Sequence, residues 1–339
     1  MPIERVKEAI DEIKKGNMVV LIDDEDRENE GDLVYAATFS TPQKVNFMAK
    51  EARGLICVAL SKEIADRLEL SPMVEKNDSA HETAFTVSVD AKKATTGISA
   101  YERDLTIKLL ADPLSTPKDF VRPGHIFPLV AKEGGVLVRT GHTEGSVDLC
   151  KLAGVQPAAV ICEIVNEDGT MARRDSLEHF AKKHNLKILY ISDLVEYRLQ
   201  NEMLIKKIGQ EEIEFFGVKT TKVDLEDHLG NVHNAVVFYS AKKRSNVKFH
   251  NVGKDRELLF NQDRFHQLMR SIDYLKQNSG ILIFLDSQKV NDATKEFGIG
   301  AQILKYLGVD QIHLLTSQKG KEFVGLSGFG LDIVEEIEI

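Results

Sequence analysis

Residues 18–37 read MVVLIDDEDRENEGDLVYAA, in which one apolar run lies on each side of ten mostly charged residues. The first run, Met18–Ile22, is typical of a buried strand, and Leu33–Ala37 is typical of a strand that returns beside it. The segment between them must therefore be a tight connection that projects several carboxylates next to a hydrophobic core. This stretch predicts a sheet-containing fold with a dense acidic cluster close to its core.

The rest of the first 205 residues alternates between helical and strand patterns. An amphipathic helix precedes the acidic segment, and Thr41-Pro42 and Ser99 are suited to cap two further helices. A polar-rich helix from Asp193 to about Lys207 is expected to connect two domains. Other short apolar runs predict strands at Leu55–Leu60, Ala84–Val89, Gly135–Arg139, Ala158–Ile164 and Lys187–Ile191.

After Gly209 the pattern changes to β-rich segments followed by alternating helices and strands. Helices are predicted over Asp263–Asn278 and Asn291–Leu307, and strands over Gly280–Leu285 and Gln311–Thr316. A chain of 339 residues is long enough for two domains. We therefore expect an α+β protein with a mixed αβ domain at residues 1–205 and a second, three-layer-like αβ domain at residues 206–339.

Composition excludes several classes of protein. The chain has 44 Lys and Arg against 53 Asp and Glu, a net charge of −9, and it contains no basic tract, so nucleic acid is not an expected partner. No run approaches the roughly 18 apolar residues of a membrane span. The three cysteines are odd in number and lack metal-binding spacing, which favours a reducing compartment. We expect a cytoplasmic protein without a membrane partner.

The segment 23–32 contains seven carboxylates and one base, Arg27. Most charge runs are solvated surface, and that interpretation stays open. However, carboxylates packed this closely beside a core repel one another unless cations compensate them, and Mg²⁺ prefers oxygen ligands of this kind. A calcium loop does not fit, because its twelfth position needs a bidentate carboxylate and would be Ala37. We therefore favour a divalent metal site over a solvated loop.

A second cluster, RTGHTEGS at residues 139–146, follows the predicted strand GGVLV and precedes a helical pattern. A loop that enters a helix offers backbone N–H groups to an anion. Arg139 adds a planar guanidinium suited to phosphate, and the hydroxyls of Thr140 and Thr143 add donors. His142 is a candidate metal ligand or acid–base group. A purely structural strand-to-helix turn explains this pattern about as well.

Two further polar residues stand out. His125 follows the tripeptide RPG, which predicts a rigid turn that presents the imidazole at the surface or in a cleft. Glu163 ends the apolar run Ala158–Cys162, a placement typical of active-site carboxylates in αβ folds. Taken alone, each of them is better explained by an ordinary structural role. Cys57 lies in an apolar run and is predicted to be a buried small hydrophobe.

Four motifs occur together in the first 200 residues: DDEDRENEGDL (23–33), RPGHIFPL (122–129), RTGHTEGSVDL (139–149) and CEI (162–164). Their order and spacing closely resemble 3,4-dihydroxy-2-butanone 4-phosphate synthase of riboflavin biosynthesis. The resemblance implies an enzyme that converts D-ribulose 5-phosphate to L-3,4-dihydroxy-2-butanone 4-phosphate and formate, with Mg²⁺ as cofactor and Mn²⁺ as an alternative. It also implies a homodimer with active sites near the subunit interface.

The same resemblance assigns roles to individual residues. Glu28 and His142 are the implied metal ligands, with Glu30 as a further contributor. His125 and Glu163 are the implied catalytic residues. The implied substrate-binding residues are Arg27, Glu28, Asp32, Arg139, Thr140, Gly141, His142, Thr143 and Glu163.

The second domain resembles GTP cyclohydrolase II, chiefly in FGIGAQILKYLGVDQIHLLTSQKGK at residues 297–321. That family binds zinc through three cysteines, yet no cysteine follows Cys162 in this chain. The corresponding region reads KFHNVGKDRELLF (248–260), and LDSQKVND (285–292) stands where the family has another of its motifs. We therefore expect no zinc in this domain, since it lacks every thiolate ligand.

Other functions for the second domain stay open. A substitute metal site built from His250, Asp255 and Glu257 matches no familiar spacing and is not favoured. One alternative is a bifunctional enzyme with residual GTP cyclohydrolase II activity. The other is a domain that assembles the oligomer or binds a partner.

Overall fold

The computed structural model describes residues 2–79, 83–286, 293–317 and 331–339. The chain divides into two compact units, Met1–Tyr197 and Arg198–Ile339. Each unit contains a seven-stranded mixed sheet accompanied by helices. This architecture confirms the predicted α+β class. In its described part, no helix is both long enough and apolar enough to cross a membrane.

The first unit contains seven strands and seven helices among its described residues. The seventh helix begins in this unit and ends four residues beyond the division between the units. The strands are β1 (Val19–Ile22), β2 (Gly31–Ala36), β3 (Cys57–Leu60), β4 (Val89–Ala91), β5 (Phe120–Val130), β6 (Ala158–Glu163) and β7 (Lys187–Tyr190). The helices are α1 (Pro2–Lys14), α2 (Pro42–Phe47), α3 (Lys62–Arg67), α4 (Ala100–Ala111), α5 (His142–Leu152), α6 (Arg174–His184) and α7 (Ile191–Asn201). The predicted caps are confirmed: the hydroxyls of Thr41 and Ser99 accept from the first turns of α2 and α4.

The first sheet has the order β4-β5-β3-β6-β2-β1-β7 and is covered on both faces. Because successive side chains of a strand point to opposite faces, β1 and β2 contribute to two cores. Val20 and Leu33, which are paired across the strands, pack on one face with α2, α3, α4 and α6. Leu21 is paired with Asp32 and lies on the other face, where it contacts Gly145 of α5. Asp32 therefore shares its face with α5.

The acidic segment lies at one edge of this sheet. It connects the end of β1 to the start of β2, and β6, which is antiparallel to β2, ends beside it at Glu163. The first residue of β3, Cys57, is paired with Ile161 next to the same edge. Strand pairing thus gathers groups that are up to 140 residues apart in sequence, from Asp23 to Glu163.

Two strands predicted in this unit are wrong. Gly135–Arg139 contains a 3₁₀ turn at Gly135–Leu137, because Gly134 and Gly135 adopt positive φ angles of 88° and 63°. The side chain of Asp148 also accepts from the backbone of Val136, which removes that N–H from any ladder. The stretch Ala84–Val89 forms isolated bridges, and a regular strand begins only at Val89.

Two other predictions need correction. The polar helix expected to run from Asp193 to about Lys207 ends at Asn201, and a strand begins at Ile205. The tripeptide RPG before His125 lies within the long strand β5 rather than in a turn.

The second unit contains strands β8 (Ile205–Phe215), β9 (Val218–Asp227), β10 (Val232–Phe238), β11 (Arg244–Asn251), β12 (Gly280–Leu285), β13 (Gln311–Thr316) and β14 (Asp332–Glu338). Its helices are α8 (Asp255–Phe260), α9 (Gln262–Asn278) and α10 (Ala293–Tyr306). The sheet order is β14-β13-β11-β12-β10-β9-β8. The pairs β8–β9, β9–β10 and β10–β12 are antiparallel. The remaining pairs, β12–β11, β11–β13 and β13–β14, are parallel.

Helices lie on both faces of the second sheet, which confirms the three-layer prediction. The apolar side of α9 packs against Leu282 of β12 and Leu315 of β13. Lys248 of β11 is paired with Leu282, so its neighbour Phe249 points to the opposite face of the sheet. The Phe249 ring contacts Gly300, which places α10 on that opposite face. Of the motifs singled out in the sequence, most of LDSQKVND and residues 318–330 lie outside the described residues.

Candidate active site

The acidic segment is folded around the carboxylate of Asp23. This side chain is fully buried, and it accepts backbone N–H bonds from Glu28 (3.2 Å) and Glu30 (2.8 Å). Arg27 donates to the same carboxylate at 2.7 Å. These three bonds explain why a segment rich in like charges adopts one conformation, with Glu28 and Glu30 turned toward the sheet edge.

Glu28 lies between a guanidinium and an imidazole. Its Oε2 accepts from Arg27 at 2.7 Å and lies 3.6 Å from Nδ1 of His142. His142 is the first residue of α5 and is buried, with 7% of its side chain exposed. One potential ligand atom each from Asp23, Glu28 and His142 lies within 4.8 Å of the others.

Asp32 and Glu163 are directly paired across β2 and β6, so their side chains lie on the same face. Asp32 is buried, and its Oδ1 lies 4.0 Å from Nε2 of His142. Within the described structure neither of these two atoms has a hydrogen-bond partner. Glu163 is held in place by the backbone N–H of Leu55, which donates to its Oε2 at 2.8 Å.

Burial and charge shift the titration of this cluster. His142, helped by Arg27, lowers the pKa of Glu28 to about 2 against the effect of burial. Burial raises the pKa of Asp32 against the opposing charge of His142, and the neighbouring Glu163, Glu28 and Glu30 carboxylates raise it further. Burial alone would lower the pKa of His142, but the carboxylates of Asp32, Glu28 and Asp23 outweigh it and raise the pKa. The carboxylates of the site therefore favour the protonated form of the imidazole.

The second predicted cluster is adjacent to the first. The guanidinium of Arg139 donates to Glu144 at 2.6 Å and lies 3.5 Å from the hydroxyl of Thr83. Gly141 is the N-cap of α5, so the start of this helix faces the same region. Thr143 is buried in its first turn.

A cavity of about 150 Å³ joins the two clusters. Of the predicted site residues, it is lined by Arg27, Glu28, Asp32, Arg139, His142, Thr143 and Glu163, together with Glu30. Thr140, Gly141 and His125 do not line it. Its remaining wall is formed by Cys57, Thr83, Phe85, Leu129 and Ile161.

Sequence reasoning missed two kinds of site residue. Asp23 was only one of seven acidic residues, and nothing in the sequence distinguished it as the buried centre of the loop. Most of the wall residues come from three separate strands and a bridge, and only strand pairing brings these together. Cys57 is buried as predicted, and burial raises the pKa of its thiol well above the ordinary value.

His125 lies outside this cavity. Its Nδ1 is 2.7 Å from Asp90, whose other oxygen accepts from the backbone N–H of His125 at 2.9 Å. The imidazole is 45% exposed. Gly97, with φ of 79°, abuts both side chains and leaves no room for a Cβ atom. The structure therefore orients His125 firmly but does not bring it to the other predicted residues.

The first cluster fits a divalent cation. Its donors are carboxylate oxygens and one imidazole, which suit Mg²⁺ or Mn²⁺. The unpartnered Oδ1 of Asp32 and Nε2 of His142 face one another across 4.0 Å in the buried site. Among the described residues, the group Asp23, Glu28 and His142 is the one set of three potential ligands found this close together. Three larger cavities, of about 870, 670 and 490 Å³, contain no such group among their described residues.

The fold and the cavity together define a class of protein. Carboxylates, a buried imidazole and two arginines surround a small cavity at the edge of a mixed sheet. Such a site is suited to an enzyme that performs acid–base chemistry on a small anionic molecule.

Comparisons with known proteins identify the family. The family model of 3,4-dihydroxy-2-butanone 4-phosphate synthase matches residues 7–197, and that of GTP cyclohydrolase II matches residues 286–338. A Wolinella succinogenes protein named 3,4-dihydroxy-2-butanone 4-phosphate synthase is 58% identical over 338 residues, which are 99% of this chain and 97% of that protein. The chain belongs to the 3,4-dihydroxy-2-butanone 4-phosphate synthase family.

Solved structures agree with this assignment. RibBX of A. baumannii, described as a two-domain 3,4-dihydroxy-2-butanone 4-phosphate synthase, matches with a TM-score of 0.86 and 40% identity over 99% of both chains. A synthase structure in complex with two magnesium ions matches 58% of this chain and 97% of its own, with a TM-score of 0.56 and 42% identity.

Proposed function

We propose that the first unit converts D-ribulose 5-phosphate to L-3,4-dihydroxy-2-butanone 4-phosphate and formate, as a Mg²⁺-dependent lyase of riboflavin biosynthesis. The observation that carries the proposal is one cavity that joins the Asp23–Glu28–His142 group to Arg139 and Glu163. Mn²⁺ is proposed as an alternative metal. The proposed catalytic, substrate-binding and metal-binding residues are those that the resemblance implies. We also propose residues 1–205 as the synthase domain and residues 206–339 as the second domain.

The chemistry begins with removal of a proton from carbon next to a carbonyl group, which requires a base and compensation of the developing negative charge. Glu28 and His142 would hold the metal, which when bound supplies positive charge to neighbouring substrate oxygens. Asp32 is suited to take up or release a proton in this space, because burial raises its pKa. Glu163, fixed by Leu55, faces the same space as a second carboxylate.

The direct test is incubation of the purified protein with ribulose 5-phosphate and Mg²⁺, followed by measurement of formate. Formate in stoichiometric amounts with a four-carbon phosphate supports the proposal. If ribulose 5-phosphate is recovered unchanged, the proposed activity is wrong.

We further propose a cytoplasmic homodimer. His125 is rigidly held by Asp90 and half exposed, yet it lies outside the cavity of its own chain. In this dimer, the exposed imidazole of His125 is proposed to complete the site of the second copy of the chain. Sedimentation of the full chain measures the oligomeric state.

Arg139→Ala is expected to raise the KM for ribulose 5-phosphate by about 10- to 100-fold with a much smaller effect on kcat. A charge-assisted pair to a phosphate remote from the reacting carbons contributes mainly anchoring energy. The measurement is steady-state kinetics, with Arg270→Ala, an exposed arginine of the second unit, as the control. An unchanged KM would mean that the phosphate binds elsewhere.

The second unit is expected to lack GTP cyclohydrolase activity. Hydrolytic opening of a purine ring needs an electrophilic metal, and all three cysteines of the chain are buried in the first unit. His250 lies in β11 and Asp255 and Glu257 in α8, and they form no metal-ligand group among the described residues. Incubating the full chain with GTP and zinc should release no formate. Release of formate together with about one zinc per chain would favour the bifunctional alternative, and its absence favours an assembly or binding domain.

A further inference from the structure

Arg139 reaches the cavity from a loop that could place its long side chain in many ways. The guanidinium lines the cavity, and only 13% of the side chain is exposed. Four carboxylates line the same cavity: Glu28, Glu30, Asp32 and Glu163. Each would attract a free guanidinium and draw it into the space that a substrate must occupy. Some group must therefore hold Arg139 at the wall.

Glu144 makes the required contact. It lies in the first turn of α5 with only 2% of its side chain exposed, and it is not among the residues that line the cavity. Its Oε2 accepts from Arg139 at 2.6 Å, and its Oε1 accepts from the backbone N–H of Lys132 at 3.0 Å. Both oxygens are thus engaged, so the carboxylate cannot rotate to follow the arginine.

The surrounding loop is built to accept this contact. One helical turn further along α5, Asp148 is also buried and accepts from the backbone of Val136 at 2.8 Å. Glu144 and Asp148 lie on the same face of α5. They therefore bind the loop that carries Arg139 at two backbone positions, Lys132 and Val136. A Cβ atom on Gly141 would collide with the Arg139 guanidinium and lie 2.9 Å from Oε2 of Glu144. Only glycine leaves room there for the guanidinium to cross the start of the helix.

We infer that Glu144 is a positioning residue, which holds the guanidinium of Arg139 at the cavity wall so that it meets the phosphate group of the substrate. This inference rests on the proposed function for the identity of the substrate. It assigns Glu144 no contact with the reacting atoms, and the effect of Glu144 is transmitted through Arg139 alone.

The experiment compares the wild-type protein with E144Q, R139A and the double variant. Glutamine keeps the shape of glutamate and the acceptor for Lys132 but lacks the charge that holds Arg139. We expect E144Q to weaken binding of inorganic phosphate, measured calorimetrically, and to raise the KM for ribulose 5-phosphate, each by about 10- to 100-fold, with kcat within about threefold. The matched control is E133Q, because Glu133 is an exposed glutamate in the same loop.

The double variant separates positioning from a general structural role. If Glu144 acts through Arg139, then E144Q adds less than about twofold in phosphate affinity once Arg139 is alanine. Wild-type phosphate affinity in E144Q, or full multiplication of the two effects, would overturn the inference. Should E144Q not fold, E144A removes the carboxylate that holds Arg139, and an unchanged phosphate affinity in that variant would likewise contradict the inference.

The two proposals fail in different ways. Absence of formate from the wild-type protein would contradict the synthase activity. The phosphate titrations do not depend on turnover, and they decide the role of Glu144 in either case.

Discussion

Glu28→Gln and His142→Ala are each expected to reduce formate production from ribulose 5-phosphate by about 10³-fold or more. Both changes remove a proposed metal ligand, and a bound cation contributes several kcal/mol of charge stabilisation, at about 1.4 kcal/mol for each factor of ten. Both residues lie at the sheet edge rather than in the hydrophobic core, so the fold should persist. Steady-state kinetics and circular dichroism are the measurements.

Glu25→Gln is the matched control for these variants. Glu25 belongs to the same acidic segment, but its side chain is 63% exposed and contacts Arg174 instead of the cavity. Activity close to that of the wild type is expected for this variant. A near-normal rate in Glu28→Gln or His142→Ala would exclude that residue as a ligand.

Removal of divalent ions is expected to abolish turnover, and Mg²⁺ or Mn²⁺ is expected to restore it. A site made of carboxylates and one imidazole exchanges its ion readily, because it has no thiolate to retain it. Activity is measured after dialysis against EDTA and again after each metal is added back. Full turnover in excess chelator would contradict both the metal site and the proposed mechanism.

The concentration of Mg²⁺ needed for half-maximal activity should depend on pH. Neighbouring carboxylates raise the pKa of His142 to about 9 in the metal-free protein, so the imidazole carries a proton at neutral pH that the metal must displace. Apparent affinity should therefore fall as the pH decreases below that value, by up to about tenfold per pH unit. If the Mg²⁺ concentration needed for half-maximal activity does not change with pH, this expectation is wrong.

Most of the secondary structure could be predicted because its signals are local. The apolar run Met18–Ile22, the cap at Thr41 and the helical spacing in α9 each reflect neighbouring residues only. Predictions failed where a distant side chain competed for the backbone. Val136 lies in an apolar run that suggests a strand, yet its N–H is bound by Asp148 from the next helix, and the chain turns instead.

The sequence by itself determined which chemical groups the site contains: a carboxylate-rich segment, the RTGHTEG loop and Glu163 at the end of an apolar run. Residue types and short spacings can be read directly from the sequence, and they suffice to indicate a metal-binding site and a phosphate-binding site. The tertiary structure alone decided the placement. Pairing of β2 with β6 set Asp32 beside Glu163, and α5 placed His142 within 3.6 Å of Glu28. It also buried Asp23 at the centre of its loop and left His125 outside the cavity, because burial and orientation depend on contacts between residues far apart in the chain.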